Sequence, residues 1–234
     1  MSAVVVDARG GARQLWDAVV DGDEDRAAEV VLRALAEGID AETVLLDVIG
    51  AVQRRVGAEW AANRLTVAQE HTATAINERV IVRLGAAVDR PARHGGRITV
   101  ACVDGEWHAL PARLLAEVLK LRGFRVDYLG AQVPAPHLIT HLHSTDPDAV
   151  ALSGSLATRL PTAHATITAC QSAGVPVVAG GAAFGPDGRY ARLLGADVWA
   201  PDARTPAHPK STAPLPRPRG GYPPIDDLPH QGDH

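Results

Sequence analysis

Apolar residues recur at helical spacing through the first third of the chain and cluster at strand-like density through the middle. Over residues 13–88 no strand-like run occurs. Leu15, Trp16, Val19 and Val20 form one short stripe, and Ala28, Val30, Val31, Leu32 and Leu35 form a second that Gly38 stops. Asp40 has the chemistry of an N-cap for a third helix carrying Val44, Leu45, Val48, Ile49 and Val52. Thr66 and Gln69 stand at capping-box spacing and open a fourth helix through Ile76, Val80, Ile81 and Leu84. Four helices on short links predict a small bundle over residues 13–90, which on periodicity alone is a helical dimerisation or capping module.

Residues 97–202 alternate strands with helices. The strands are ITVACV, RVDYLG, AVALSG, VPVVAGG and DVWAPD, separated by helix-like stretches at 110–122, 137–144, 162–173 and, more briefly, 189–194. Short apolar strands joined by crossover helices predict a doubly wound, five-stranded parallel sheet covered on both faces. The fold class is therefore all-α followed by α/β. Residues 203–234 are rich in proline and polar side chains and read as a disordered tail, in which His208, His230 and His234 have no assigned role.

Composition narrows the partners more than the fold. The chain has 234 residues, 46% hydrophobic and 21% charged, which is enough for two compact domains. A net charge of -4 provides no global basic footprint, so neither nucleic acid nor a membrane surface is an expected partner. Cys102 and Cys170 lie in apolar runs without metal-ligand spacing and read as small buried hydrophobes in a reducing compartment. No run approaches the roughly 20 apolar residues of a bilayer span, and the first residues lack leader chemistry, so the expected setting is the cytoplasm.

In parallel sheets of this kind ligands bind at the carboxyl ends of the strands. Three segments fall there: GEWHALP at 105–111 after the first strand, Ser153 with Gly154 after the third, and Gly180 with Gly181 after the fourth. A loop histidine can extend its imidazole outwards from this rim, and Glu106 can reach the other ring nitrogen of His108 and raise the basicity of the ligating one. Taken alone, the triplet reads better as a solvated loop histidine beside an acid. The rest of the rim changes the balance, because a small hydroxyl residue and glycines let a bulky group approach the backbone. No GxGxxG or GxxxxGK[ST] follows the first strand, which speaks against a dinucleotide or a P-loop nucleotide and for a long group inserted between strand ends. His137 and His141 have i, i+4 spacing without a third ligand; with His143 they read as residues of one exposed helix, and His164 as a surface helix residue. Trp107 and Trp199 read first as packing residues.

The histidine after strand one, the Ser-Gly turn after strand three and the Gly-Gly turn after strand four resemble the cobalamin-binding Rossmann-like (flavodoxin-like) domain of methionine synthase, corrinoid methyl carriers and the light-sensing CarH regulators. The resemblance implies that the nucleotide tail of cobalamin is swung off cobalt and buried among these turns. His108 would then be the lower axial ligand of cobalt with Glu106 behind it, and Ser153, Gly154, Ser155, Gly180 and Gly181 would surround the tail. Trp107, inside the motif, joins the cofactor-contacting set. Two departures stand out: the usual Asp is Glu106, as in the light-sensing branch, and the expected glycine three residues after the histidine is Pro111.

WAANRLTVAQEH, at 60–71, places Trp60 nine residues before Glu70 and His71. The same constellation in the bundle of CarH sensors lines the upper face of the corrin, so the resemblance implies that Trp60 packs against the adenosyl group and Glu70 bonds its sugar hydroxyls. Without the resemblance, Trp60 reads as core and Glu70 as a helix-start acid favoured by the dipole. In the best-known CarH sensors a histidine follows the tryptophan and captures cobalt after photolysis. Here Ala61 follows, and His71 is the nearest candidate for that upper axial role. CarH regulators begin with a winged-helix DNA-binding domain, whereas about a dozen residues precede this bundle, so direct DNA binding is not expected. The expectation is a stand-alone adenosylcobalamin photoreceptor, not an enzyme, that changes conformation or assembly in light and acts through an unidentified protein partner or a homo-oligomer. Two alternatives stay open: a photocobilin-like sensor holding a bilin such as biliverdin beside cobalamin, and a corrinoid methyl carrier of a methyltransferase system.

Overall fold

The structure, a computed structural model, describes residues 7–205. Nearly all of the expected tail, with His208, His230 and His234, lies outside the described residues. The chain divides at Pro91 and Ala92 into a helical unit and a sheet unit.

The helical unit contains α1 (Ala8–Val20), α2 (Glu24–Ala36), a continuous rod and α5 (Val67–Ala87). The rod is built of α3 (Ala41–Thr43), a π-helical stretch Val44–Ile49 and α4 (Gly50–Ala61). Each start is chemically marked: Asp7, Asp23, Asp40 and Thr66 accept hydrogen bonds from the backbone N–H of Gly10, Arg26, Thr43 and Gln69. The capping box is complete, because Gln69 also accepts the Thr66 N–H. Leu15, Val19, Val31, Leu45, Val48, Ile49, Val52, Ile76, Val80, Ile81 and Leu84 form the buried interior. Leu32 departs from its expected stripe and is exposed. The π-helical stretch, whose residues are buried except for Asp47, leaves no mark in the apolar spacing.

The sheet unit has β1 (Arg97–Cys102), β2 (Arg125–Gly130), β3 (Ala149–Ser153), β4 (Val177–Gly180) and β5 (Val198–Ala200). All pairings are parallel, in the order β2-β1-β3-β4-β5. The connecting helices are α6 (Leu110–Leu121), α7 (Ala135–Thr145), α8 (Leu160–Ser172) and α9 (Arg189–Leu193). Ile98, Val100 and Cys102 pack with Ala112, Ala116 and Leu119 of α6 on one face. Ala101, Val150, Leu152, Val177 and Ala179 pack with residues of α7, α8 and α9 on the other. The alternation along β1 thus divides its side chains between two cores. Pro111 stands in the first turn of α6, where its missing N–H costs nothing. Cys102 and Cys170 are buried as expected, and burial pushes their thiols up to about 12 and about 11, the nearby Glu106 charge adding to the first. Among the described residues no helix is long and apolar enough to cross a membrane.

Strand order reverses between β1 and β3, so the loops leaving these two strands flank the topological switch point, the place at which sheets of this kind bind ligands. The GEWHALP segment leaves β1, and the Ser-Gly turn leaves β3.

Candidate functional site

After β1 the chain turns through Gly105, whose φ of +77° lies in the left-handed region. A side chain there would also meet the Arg159 guanidinium, 2.8 Å from the position of an added Cβ. Backbone bonds set the turn: Glu106 N–H donates to Val103 C=O at 2.9 Å, and Gln132 N–H donates to Glu106 C=O at 3.1 Å.

Glu106 is fully buried and ties two loops together. Its Oε1 accepts from the His108 backbone N–H at 2.9 Å and stands 2.5 Å from His108 Nδ1. Its Oε2 accepts from the N–H groups of Ser155 at 2.7 Å and Leu156 at 3.1 Å, in the loop after β3. Burial pushes this carboxyl upward, but the bonds from the His108 ring and from the backbone of His108, Ser155 and Leu156 outweigh it and hold Glu106 down to about 2. An ionised carboxylate only accepts, so Nδ1 donates and the lone pair of a neutral imidazole lies on Nε2. The expected partnership of Glu106 and His108 is present, and Glu106 also binds β1's loop to β3's.

His108 itself is 47% exposed in its side chain, so its ring reaches the rim surface. Trp107 beside it is 73% exposed and Leu156 across the loop is 42% exposed. This corrects the reading of Trp107 as a packing residue: the turn that buries Glu106 directs its neighbour outwards. Trp199 does pack, lying against the core and beneath Gly188.

Cys102, Ser153, Gly180 and Ala200 pair in register across the sheet, so the three rim segments share one end as expected. Gly154 N–H donates to Gly180 C=O at 3.0 Å, and Gly154 C=O accepts from Ala183 N–H at 3.1 Å. Gly181 has φ +104°, and a Cβ there would stand 2.3 Å from Gly154 O. The closest approach that these glycines permit is therefore of one turn to the other. Ser153 is buried, and Ser155 is partly exposed beside its bond to Glu106.

In the helical unit Trp60 lies on the last turn of α4 and is 44% exposed, so it is not core. Glu70 lies in the first turn of α5, and His71 follows it at the start of the second. Glu70 Oε2 stands 2.9 Å from His71 Nδ1, and Glu70 Oε1 accepts from Thr74 Oγ1 at 2.8 Å. Thr74 in turn accepts from Gln53 Nε2 at 2.7 Å, and Gln53 Oε1 accepts from the fully buried Asn77 Nδ2 at 2.8 Å. Sequence reasoning missed Gln53, Thr74 and Asn77. One signal existed: Asn77 is a polar residue inside the stripe of Ala73, Ile76 and Val80.

The other histidines need two corrections. His141 is not on an open surface, because its Nε2 lies 3.5 Å from Asp127 Oδ2, which also takes Arg97 Nε at 2.5 Å. His164 is partly buried, with Nδ1 3.3 Å from Leu194 C=O. Among the described residues no group of three or more His, Cys, Asp or Glu is placed to hold a metal ion. His108 can thus supply one donor to a metal whose remaining donors arrive with it, as in a metallated macrocycle, and the exposed Trp107 and Leu156 beside it suit an apolar ring system.

A B12 binding domain model matches residues 96–207, and a second B12 binding domain model matches residues 12–84. Trimethylamine corrinoid protein 1 of Methanosarcina mazei is 26% identical over 194 residues, covering 80% of this chain and 89% of that protein. The HTH-type transcriptional repressor CarH of Myxococcus xanthus is 34% identical over 167 residues, covering 69% of this chain and 54% of that protein. Among solved structures, the Methanosarcina barkeri monomethylamine corrinoid protein shares the fold, with a TM-score of 0.72 at 20% identity over 85% of this chain and 95% of that one.

Proposed function

Because this chain belongs to the B12-binding domain proteins and is a cobalamin-binding protein homologous to corrinoid proteins and to CarH and CarA, we propose that it is an adenosylcobalamin sensor that converts light into a change of conformation or assembly. One observation carries the choice of upper ligand. Glu70 is braced through both oxygens, by Thr74 and His71, at the end of the bundle that also presents Trp60. A preset acceptor and an exposed indole suit a nucleoside, which offers sugar hydroxyls and an aromatic base; a methyl group offers neither.

In this reading His108 ligates cobalt through Nε2, while Glu106 fixes the ring and strengthens it as a donor. Trp107 and Leu156 present apolar surface to the macrocycle, Ser153 and Ser155 contact the nucleotide tail, and Gly154, Gly180 and Gly181 nest the turns around it. When bound, adenosylcobalamin supplies a cobalt–carbon bond that light breaks. Without an adenosyl group Trp60 and Glu70 would lack the partner proposed for them, and the cavity left would favour a shift of the helices. His71, 75% exposed and tethered to Glu70, would be the imidazole in the bundle available to hold the metal, since Ala61 has no donor atom. The signal passes to a protein partner or a second copy of the chain. No catalytic residue is proposed.

A corrinoid methyl carrier is the second reading, supported by the near full-length similarity to the trimethylamine corrinoid protein. Titration of the purified chain in darkness with adenosylcobalamin and methylcobalamin, followed by size exclusion before and after green light, separates the two. The sensor reading expects tighter adenosylcobalamin binding, by about tenfold or more from one charged hydrogen bond, and a lit profile that differs from the dark one. Equal affinities support the carrier, and identical dark and lit profiles of the loaded protein overturn the sensor. Long-wavelength bands after adding biliverdin would mark the bilin-binding variant.

A further inference from the structure

A line of side-chain hydrogen bonds crosses from α5 to α4 and back, and it ends on Glu70. Asn77 Nδ2 donates to Gln53 Oε1 at 2.8 Å, Gln53 Nε2 donates to Thr74 Oγ1 at 2.7 Å, and Thr74 Oγ1 donates to Glu70 Oε1 at 2.8 Å. Every donor points towards the carboxylate. The Thr74 hydroxyl has a single proton, and because it accepts from Gln53 that proton is directed to Glu70.

Such a line is an expensive way to fill a bundle interior. Asn77 is fully buried among Ala73, Ile76, Val80 and Ile81, and its Oδ1 has no partner. An apolar side chain would avoid that desolvation cost. What the polar line supplies is geometry: it fixes Glu70 from two helices rather than from its own turn alone. Glu70, Thr74 and Asn77 are spaced i, i+4, i+7 along one face of α5, and Gln53 lies seven residues before Trp60 on one face of α4. The helix that anchors the carboxylate therefore also carries the tryptophan.

We propose that Gln53, Thr74 and Asn77 are positioning residues that aim Glu70 at sugar hydroxyls of the upper ligand, so that discrimination between adenosylcobalamin and methylcobalamin is set two turns inside the bundle. The inference rests on the reading of Glu70 as the group that recognises adenosine.

Thr74→Val removes the hydroxyl at nearly constant shape, and Thr74→Ser retains it. Equilibrium titrations of the full chain in darkness give the ratio of Kd for methylcobalamin to Kd for adenosylcobalamin, and circular dichroism melts report the fold. Thr74→Val is expected to lower that ratio about fivefold to tenfold, and Thr74→Ser to hold it within about twofold. A purely structural role would weaken both cofactors together and leave the ratio unchanged, so an unmodified ratio in Thr74→Val overturns the proposal. If Thr74→Val does not fold, Gln53→Met, which withdraws the donor to Thr74, bears the same test with the same two outcomes. A ratio near unity in the unmodified protein is a separate failure: it removes the adenosine reading of Glu70 before any variant is made.

Discussion

Each unit of this protein holds a carboxylate against a histidine, and the two are held by opposite means. Glu106 is fully buried and collects backbone N–H groups from His108, Ser155 and Leu156 in addition to the imidazole. Glu70 is partly exposed, and its partners are the side chains of Thr74 and His71. Backbone donors move only if the loops after β1 and β3 come apart, whereas side-chain donors release by rotation about χ angles, on far shorter timescales. The sheet unit thus presents its histidine from a rigid platform. The helical unit holds its carboxylate with side-chain groups that can let go.

Removing each carboxylate is the largest test of that contrast. Glu106→Ala leaves three part-buried backbone N–H groups and the His108 ring without their acceptor, and urea unfolding is expected to show a loss of roughly 2 to 4 kcal/mol. Glu70→Ala, at a partly exposed helix start, is expected to stay within about 1 kcal/mol of the unmodified protein. Equal losses would mean that the two carboxylates are held alike. A second variant separates support from ligation. His108→Ala should weaken cobalamin binding at least about tenfold, because the half-exposed ring is offered to the ligand, yet its unfolding midpoint should barely change. An unaltered cobalt absorption spectrum in His108→Ala would take this residue out of the site.

A further effect shows only as the pH is lowered, because at neutral pH the Glu106 contribution is fully present. Glu106 sits at about 2 in the folded chain against 4.5 for the ordinary group, so as pH falls through 4.5 the unfolded chain takes up a proton that the folded chain refuses. Its contribution is complete above about pH 4.5 and is lost progressively down to about pH 2. Chemical unfolding of the cofactor-free protein across that window should show the decline, and Glu106→Gln should flatten it. A variant curve that keeps the full decline would shift the acid sensitivity to other carboxylates.

Much of the fold was legible because its cues act over a few residues. The capping box at Thr66 and Gln69 formed as its spacing required, and the apolar runs became the five parallel strands. The rim segments were legible too, since a loop that follows a parallel strand must emerge at the carboxyl end. Trp107 was misread for the opposite reason: residue type favours burial, but the turn that buries Glu106 forces the next side chain outwards. His141 was misread because Asp127, its neighbour, belongs to another element.

The sequence by itself determined the order and approximate extent of the helices and strands, which residues could carry chemistry and that His108, Ser153 and Gly180 share one edge. These follow from helical and strand periods, from caps and from the direction of parallel strands, all set within short stretches of chain. Only the tertiary structure decided which donors reach each carboxylate. Glu106 meets Ser155 across 49 positions, and Gln53 meets Thr74 across 21, pairings that no local period encodes. Buried polar groups must find partners wherever packing brings them, so the line from Asn77 to Glu70 and the nesting of Gly181 on Gly154 exist only once the elements have docked.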